Sequence, residues 1–154
     1  MAIGWFNNLA DAKLYFTNER LVTTAWDALS DPGGMTKAVT NAYNRIFYSS
    51  KYDVPTYAAA TAAQLIVLKK VNGEMAYYLA QHLEDEDRRM GLRAQGVTKA
   101  GIVKEEYKDD IELPIPPFID DILEEEGFTT EKAFGMVDVD RDEEKSVDEK
   151  VDDF

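Results

Sequence analysis

Apolar residues recur with a helical period along most of the chain, and the breaks in that rhythm fall at proline and glycine. Residues 9–16 predict a short helix behind Asn8, whose side chain suits an N-cap. Leu9, Ala12, Leu14 and Phe16 give that helix more apolar surface than a free one needs, so it should dock. A second short helix is expected over residues 25–29 with Thr24 as its cap, stopped by Ser30-Asp31-Pro32-Gly33-Gly34. The next segment, residues 35–50, carries the clearest stripe. Met35, Val39, Ala42, Tyr43, Ile46 and Phe47 fall on one face, leaving Lys37, Asn41, Asn44 and Arg45 mostly toward water. Residues 51–55 read as a loop, because Val54 precedes proline and is pushed out of helical geometry.

From residue 56 to residue 94 the pattern predicts one long helix, about 55–60 Å at 1.5 Å per residue. Alanines 58–60, 62 and 63 start it, and Leu65, Leu68, Asn72, Met75, Ala76, Leu79 and Leu83 continue one face. Ending it at Glu84-Asp85-Glu86-Asp87 would set carboxylates against the negative end of the helix dipole. Continuing it lets Glu84 pair with Arg88 and Asp85 with Arg89 at i,i+4. Gly96 is the expected stop, and Gly73 a candidate bend. Residues 97–107 change character and suggest a short strand or hairpin. Pro116 or Pro117 opens a last helix lined by Phe118, Ile119, Ile122 and Leu123 and ended by Gly127.

The formal charge of -13 is unevenly spread. Residues 1–108 carry 12 Asp and Glu against 13 Lys and Arg, whereas residues 109–154 carry 18 against 4. The anionic character therefore belongs to the C-terminal third. Two units follow: a helical domain over residues 1–127 and an extended acidic C-terminal arm over residues 128–154. Such an arm is disordered by composition. Its spaced apolar residues Phe134, Met136, Val137, Val139, Val147, Val151 and Phe154 suit an arm that orders on a partner.

The absence of cysteine excludes a disulfide framework, zinc thiolates and thiol catalysis, and a single histidine, His82, leaves no multi-histidine metal site. Residues 1–8 lack the basic start and apolar core of a signal peptide, and no apolar run approaches the ~18 residues of a membrane span. Asp138, Asp140, Asp142, Ser146 and Glu149 match the oxygen positions of an EF-hand loop. Glu143 stands where that loop needs glycine and Lys145 where it needs an apolar residue, so the alternation reads as chance within an acidic tail. No phosphate loop, nucleophile elbow or catalytic triad stands out; no enzyme activity, cofactor or bound metal is expected. Arg88, Arg89, Arg93, Lys99, Lys104 and Lys108 form the cationic stretch, a candidate for a subunit interface or for nucleic acid, with Tyr107 as a stacking platform. His82 reads as a surface or interface residue.

In their order, these segments resemble a phage family. Leu9-Ala10-Asp11-Ala12-Lys13-Leu14-Tyr15-Phe16 is followed by Trp26, a helix through Ala38-Val39-Thr40-Asn41-Ala42-Tyr43, a long helix over 71–83, Gly96-Val97-Thr98-Lys99 and residues 114–123. This is similar to the phage head–tail connector (adaptor or neck) proteins, including the group labelled DnaT-like single-strand DNA-binding. The likeness covers roughly residues 9–126. It implies a mainly α fold: an antiparallel helical bundle with one long central helix and a small β-hairpin or strand. It further implies a ring, commonly a dodecamer, beneath the portal protein, extending the channel through which DNA passes without specific binding and joining capsid to tail or stopper proteins. By similarity the acidic arm docks on the portal. The implied location is the virion neck, and the host cytoplasm during assembly, with no membrane association. The alternative the family label offers is a single-strand DNA-binding replication accessory protein.

Overall fold

Asn8 caps the first helix as expected, its side chain accepting from the Asp11 amide at 3.0 Å. In the computed structural model of the chain, which describes residues 1–96 and 115–130 together with the backbone of 99–100 and 105–106, that helix is α1, Leu9–Glu19. Ala12, Tyr15 and Phe16 are buried, while Leu14 points outward at 57% exposure. Ala12 and Phe16 are thus inside as expected and Leu9 packs against the core, while Tyr15 takes the place expected of Leu14. The second helix, α2, is a single turn, Thr24–Asp27, whose N-cap position is Thr23 rather than Thr24. Its Trp26 stacks on Phe16 with ring centroids 3.9 Å apart, which is how the short segment is held.

Helix α3, Gly33–Phe47, buries Met35, Val39, Ala42 and Ile46 as the stripe predicts, with Ala38 added. Arg45 departs from the expectation. Its side chain is only 9% exposed, because its guanidinium meets Glu86 of the long helix at 2.7 Å.

That long helix, α4, runs Ala62–Ala94, about 50 Å at 1.5 Å per residue. It begins six residues later than expected. Thr61 and Gln64 form a capping box there, and residues 57–59 are turn instead. The predicted stop holds: Gly96 has φ +80, as Gly127 has φ +75 after the last helix. Gly73 serves a close contact. The helix is unbroken through it, and a Cβ there would fall inside van der Waals contact of the Tyr15 ring. The glycine lets α1 approach α4 closely.

The contacts between α1 and α4 also set their relative direction. Asp11 pairs with Lys69 at 2.6 Å, Tyr15 meets Gly73 and Glu74, and Arg20, just past α1, meets Glu74 and Tyr77. Positions advance together along both chains, so α1 and α4 run parallel, where an antiparallel arrangement was expected. Helix α3 meets α4 in the same order, Val39 beside Asn72 and Arg45 reaching Glu86. Short loops favour antiparallel neighbours. Here the long connection over residues 48–61, anchored by buried Tyr52 and Val54 and by the Trp5 indole donating to the Pro55 carbonyl at 2.8 Å, allows α4 to run in the same direction as α3.

Helix α5, Pro117–Glu125, opens on Pro117 as predicted and buries Ile119 and Leu123, while Phe118 is 52% exposed. Beyond Gly127 the chain stays with the body for three more residues. Phe128 is buried and its carbonyl accepts from Asp53 at 2.7 Å, Thr129 pairs with Tyr52, and the Thr130 amide donates to Lys51 at 2.9 Å. In the region expected to hold a strand or hairpin, the described backbone pairs Lys99 with Glu106 and Ala100 with Glu105, antiparallel; the rest of that segment lies outside the described residues.

The core gathers on α4, against which α1, α2, α3 and α5 all pack. Its polar centre is Asn72, wholly buried. With its amide oriented to satisfy both ends, the nitrogen donates to the Val39 carbonyl and the oxygen accepts from the Trp5 amide, each at 3.1 Å. One side chain thereby ties α4 to α3 and to the N-terminal segment.

Candidate docking cleft on the helical body

Where α1 ends, the chain turns through Arg20, Leu21 and Val22 across α4 and leaves an open cleft of about 420 Å³. Tyr15 and Glu19 of α1, Lys70 and Glu74 of α4, and Phe118 at the start of α5 complete its walls. The floor is polar and fully engaged. The Tyr15 hydroxyl donates to Glu74 Oε1 at 2.7 Å, and the Arg20 guanidinium pairs with Glu74 Oε2. Arg20 Nε donates to the Val22 carbonyl at 3.0 Å, and its Cζ sits 3.5 Å from the Tyr77 ring centroid. Burial, and then the hydrogen bond to Glu74, hold the Tyr15 phenol well above its ordinary pKa. Both Glu74 oxygens are thus engaged within the body, which suits this side chain to fixing the turn after α1.

The rim differs from the floor. Leu21 is 99% exposed, and Val22 and Phe118 are each more than half exposed. Ile66, also exposed, lies one turn before Lys70 on the same face of α4. Lys70 lies with its ammonium 5.7 Å from the Phe118 ring. The arrangement can hold an apolar side chain between Leu21, Val22 and Phe118 above this engaged floor.

Arg88, Arg89 and Arg93 fall on the last turns of α4; the first two are exposed and Arg93 is half-buried. Arg88 lies 3.9 Å from Asp85 at i,i+3, whereas Glu84 at i,i+4 was the expected partner. For Lys99 the backbone alone is described; Lys104, Lys108 and Tyr107 lie outside the described residues. So do all the arm positions, Phe134, Met136, Val137, Val139, Val147, Val151 and Phe154, and the calcium-like run from Asp138 to Glu149. His82 is exposed, its ring 4.8 Å from that of Tyr78. Among the described residues no group of three or more His, Cys, Asp or Glu could hold a metal ion, and no helix is long and apolar enough to cross a membrane.

Sequence reasoning missed the cleft. Leu21 and Val22 belong to no periodic stripe, and Phe118 was assigned to the core face of its helix. The available signal was that unassigned Leu21-Val22 pair between two helices. Comparison of the chain with protein-family models, with curated proteins and with solved structures finds no match.

Proposed function

We propose that this chain works by mechanical joining, as a phage head–tail connector: a structural virion protein that forms a ring under a portal and links capsid to tail. The observation that carries the reading is the uncovered apolar rim of Leu21, Val22 and Phe118. Large apolar side chains grouped around a cleft mark a surface that other proteins cover. Thr130 is pinned to Lys51, which also pairs with Asp120 of α5, so the acidic arm starts from a fixed point on the body. From there it reaches for a portal in this reading.

Electron microscopy of the full chain mixed with its portal tests the proposal, the expected result being rings of copies seated on the portal. A Leu21→Asp, Phe118→Asp double variant should keep its helical circular dichroism and lose the rings. Micromolar binding of single-stranded oligonucleotides, falling steeply with salt, would overturn the connector reading in favour of the replication-accessory alternative.

A further inference from the structure

The exposed end of α4 carries acid and then base along one face. Glu84, Asp87, Arg88 and Gly91 stand at i, i+3, i+4 and i+7, one continuous face of the helix, and all four are exposed. Glu86, which points to the other side of the helix, is held by Arg45 at 2.7 Å and by the Tyr78 hydroxyl at 2.8 Å. The body therefore grips one side of this helix end and leaves the opposite side open. On the open side a Cβ at Gly91 would meet no atom within 4 Å.

Acid at one end of this stripe and base near the other make it complementary to itself when reversed. Two copies placed antiparallel, with the two-fold axis level with residues 87 and 88, set Asp87 of each beside Arg88 of the other. Glu84 then faces Gly91 of the opposite copy, where the missing side chain lets the helices approach and brings Glu84 within a turn of the same Arg88. Parallel in-register copies would instead set acid against acid.

We propose that the end of α4 is a self-association surface, through which two copies of this chain dock antiparallel by Glu84, Asp87, Arg88 and Gly91. A two-fold contact closes as a pair; it is separate from a ring contact and stands whether or not the connector reading does. Exposed ion pairs are individually weak and screened by salt, so the pair should form at low ionic strength and high protein concentration.

Sedimentation of the full chain at low and high salt gives the first readout, with dimer expected at low salt. Arg88→Glu makes the stripe wholly acidic, and a Glu84→Lys, Asp87→Lys double variant makes it wholly basic. Each alone should weaken association about tenfold or more, as reversing two facing ion pairs implies, and an equimolar mixture of the two should restore it. Because the chain contains no cysteine, Glu84→Cys and Gly91→Cys chains can be mixed and oxidised to read the register. Cross-linking between the two variants is expected to outpace Gly91→Cys with itself. A monomer at low salt and millimolar protein, a mixture that stays monomeric, or faster Gly91→Cys self-linking overturns the proposal.

Discussion

Residues 68–79 and residues 84–94 belong to one unbroken helix but lie in different surroundings. The first stretch buries Leu68, Val71, Asn72, Met75, Ala76 and Leu79 against the rest of the body, and no residue of the second is buried. Helical stability in proteins comes mainly from packing and less from propensity. The first stretch is therefore held by its neighbours. The second depends on the turns before it, on the Arg45–Glu86 pair at its start and on weak charge pairs along its surface. Each stretch contains one glycine, and the two have opposite meanings. Gly73 is required by the Tyr15 ring, whereas Gly91 has open space where a side chain would stand.

Substitutions at matching places should separate the two stretches. The largest effect is expected from Gly73→Val, which forces new methyl groups into the Tyr15 ring. A loss of about 3 kcal/mol is the expected scale for overpacking this severe, read as a lower denaturant midpoint. Close behind is Asn72→Ala, which removes both 3.1 Å bonds and leaves the Trp5 amide without its partner. Its cost should be about 2–3 kcal/mol, from the unsatisfied group and the lost packing.

At the junction of the two stretches the effect depends on pH. Burial, and then the hydrogen bond to Glu86, push the Tyr78 phenol from 10.0 up to about 12. The unfolded chain ionises this group near 10, so the stability gained by keeping it neutral is complete below that pH. It is lost as pH rises through about 12. Tyr15 shifts in the same direction. Denaturation midpoints of the wild type should fall between pH 10 and 12, and Tyr78→Phe should flatten that decline; an unchanged slope would remove Tyr78 as a cause.

Smaller effects belong to the open stretch. Gly91→Ala should raise stability by up to about 1 kcal/mol, the usual helix preference for alanine over glycine. A loss there instead would mean that the glycine is needed by something packed against it. Arg88→Ala should change the stability of the single chain by less than about 0.5 kcal/mol, since its contact with Asp85 is exposed and 3.9 Å long.

Local chemistry explains which features were legible in the sequence. The Asn8 cap, the start of α5 at Pro117 and the stops at Gly96 and Gly127 depend on a residue's own backbone preferences, and each is where the sequence puts it. The α3 stripe was legible because 3.6-residue periodicity is a property of the segment alone. The start of α4 was not. Alanines 58–60 have helical propensity, but the Thr61–Gln64 capping box satisfies backbone amides at a later point. The cleft was hidden because it exists where three separated pieces meet, residues 20–22, α4 and Phe118.

The amino-acid sequence by itself determined that this protein is mainly helical, that its longest helix crosses the acid-to-base switch at residues 84–93, and that anionic charge collects toward its C-terminus. Tertiary structure alone decided that α1 runs parallel to α4, that Gly73 lies against the Tyr15 ring, and that Arg45 turns inward to Glu86. It also decided that Leu21 and Phe118 remain uncovered. Periodicity names the face a helix buries but carries no information about which neighbour lies there or which way it runs. Those follow from packing among residues 50 or more positions apart, such as Trp5 with Pro55 and Arg20 with Glu74.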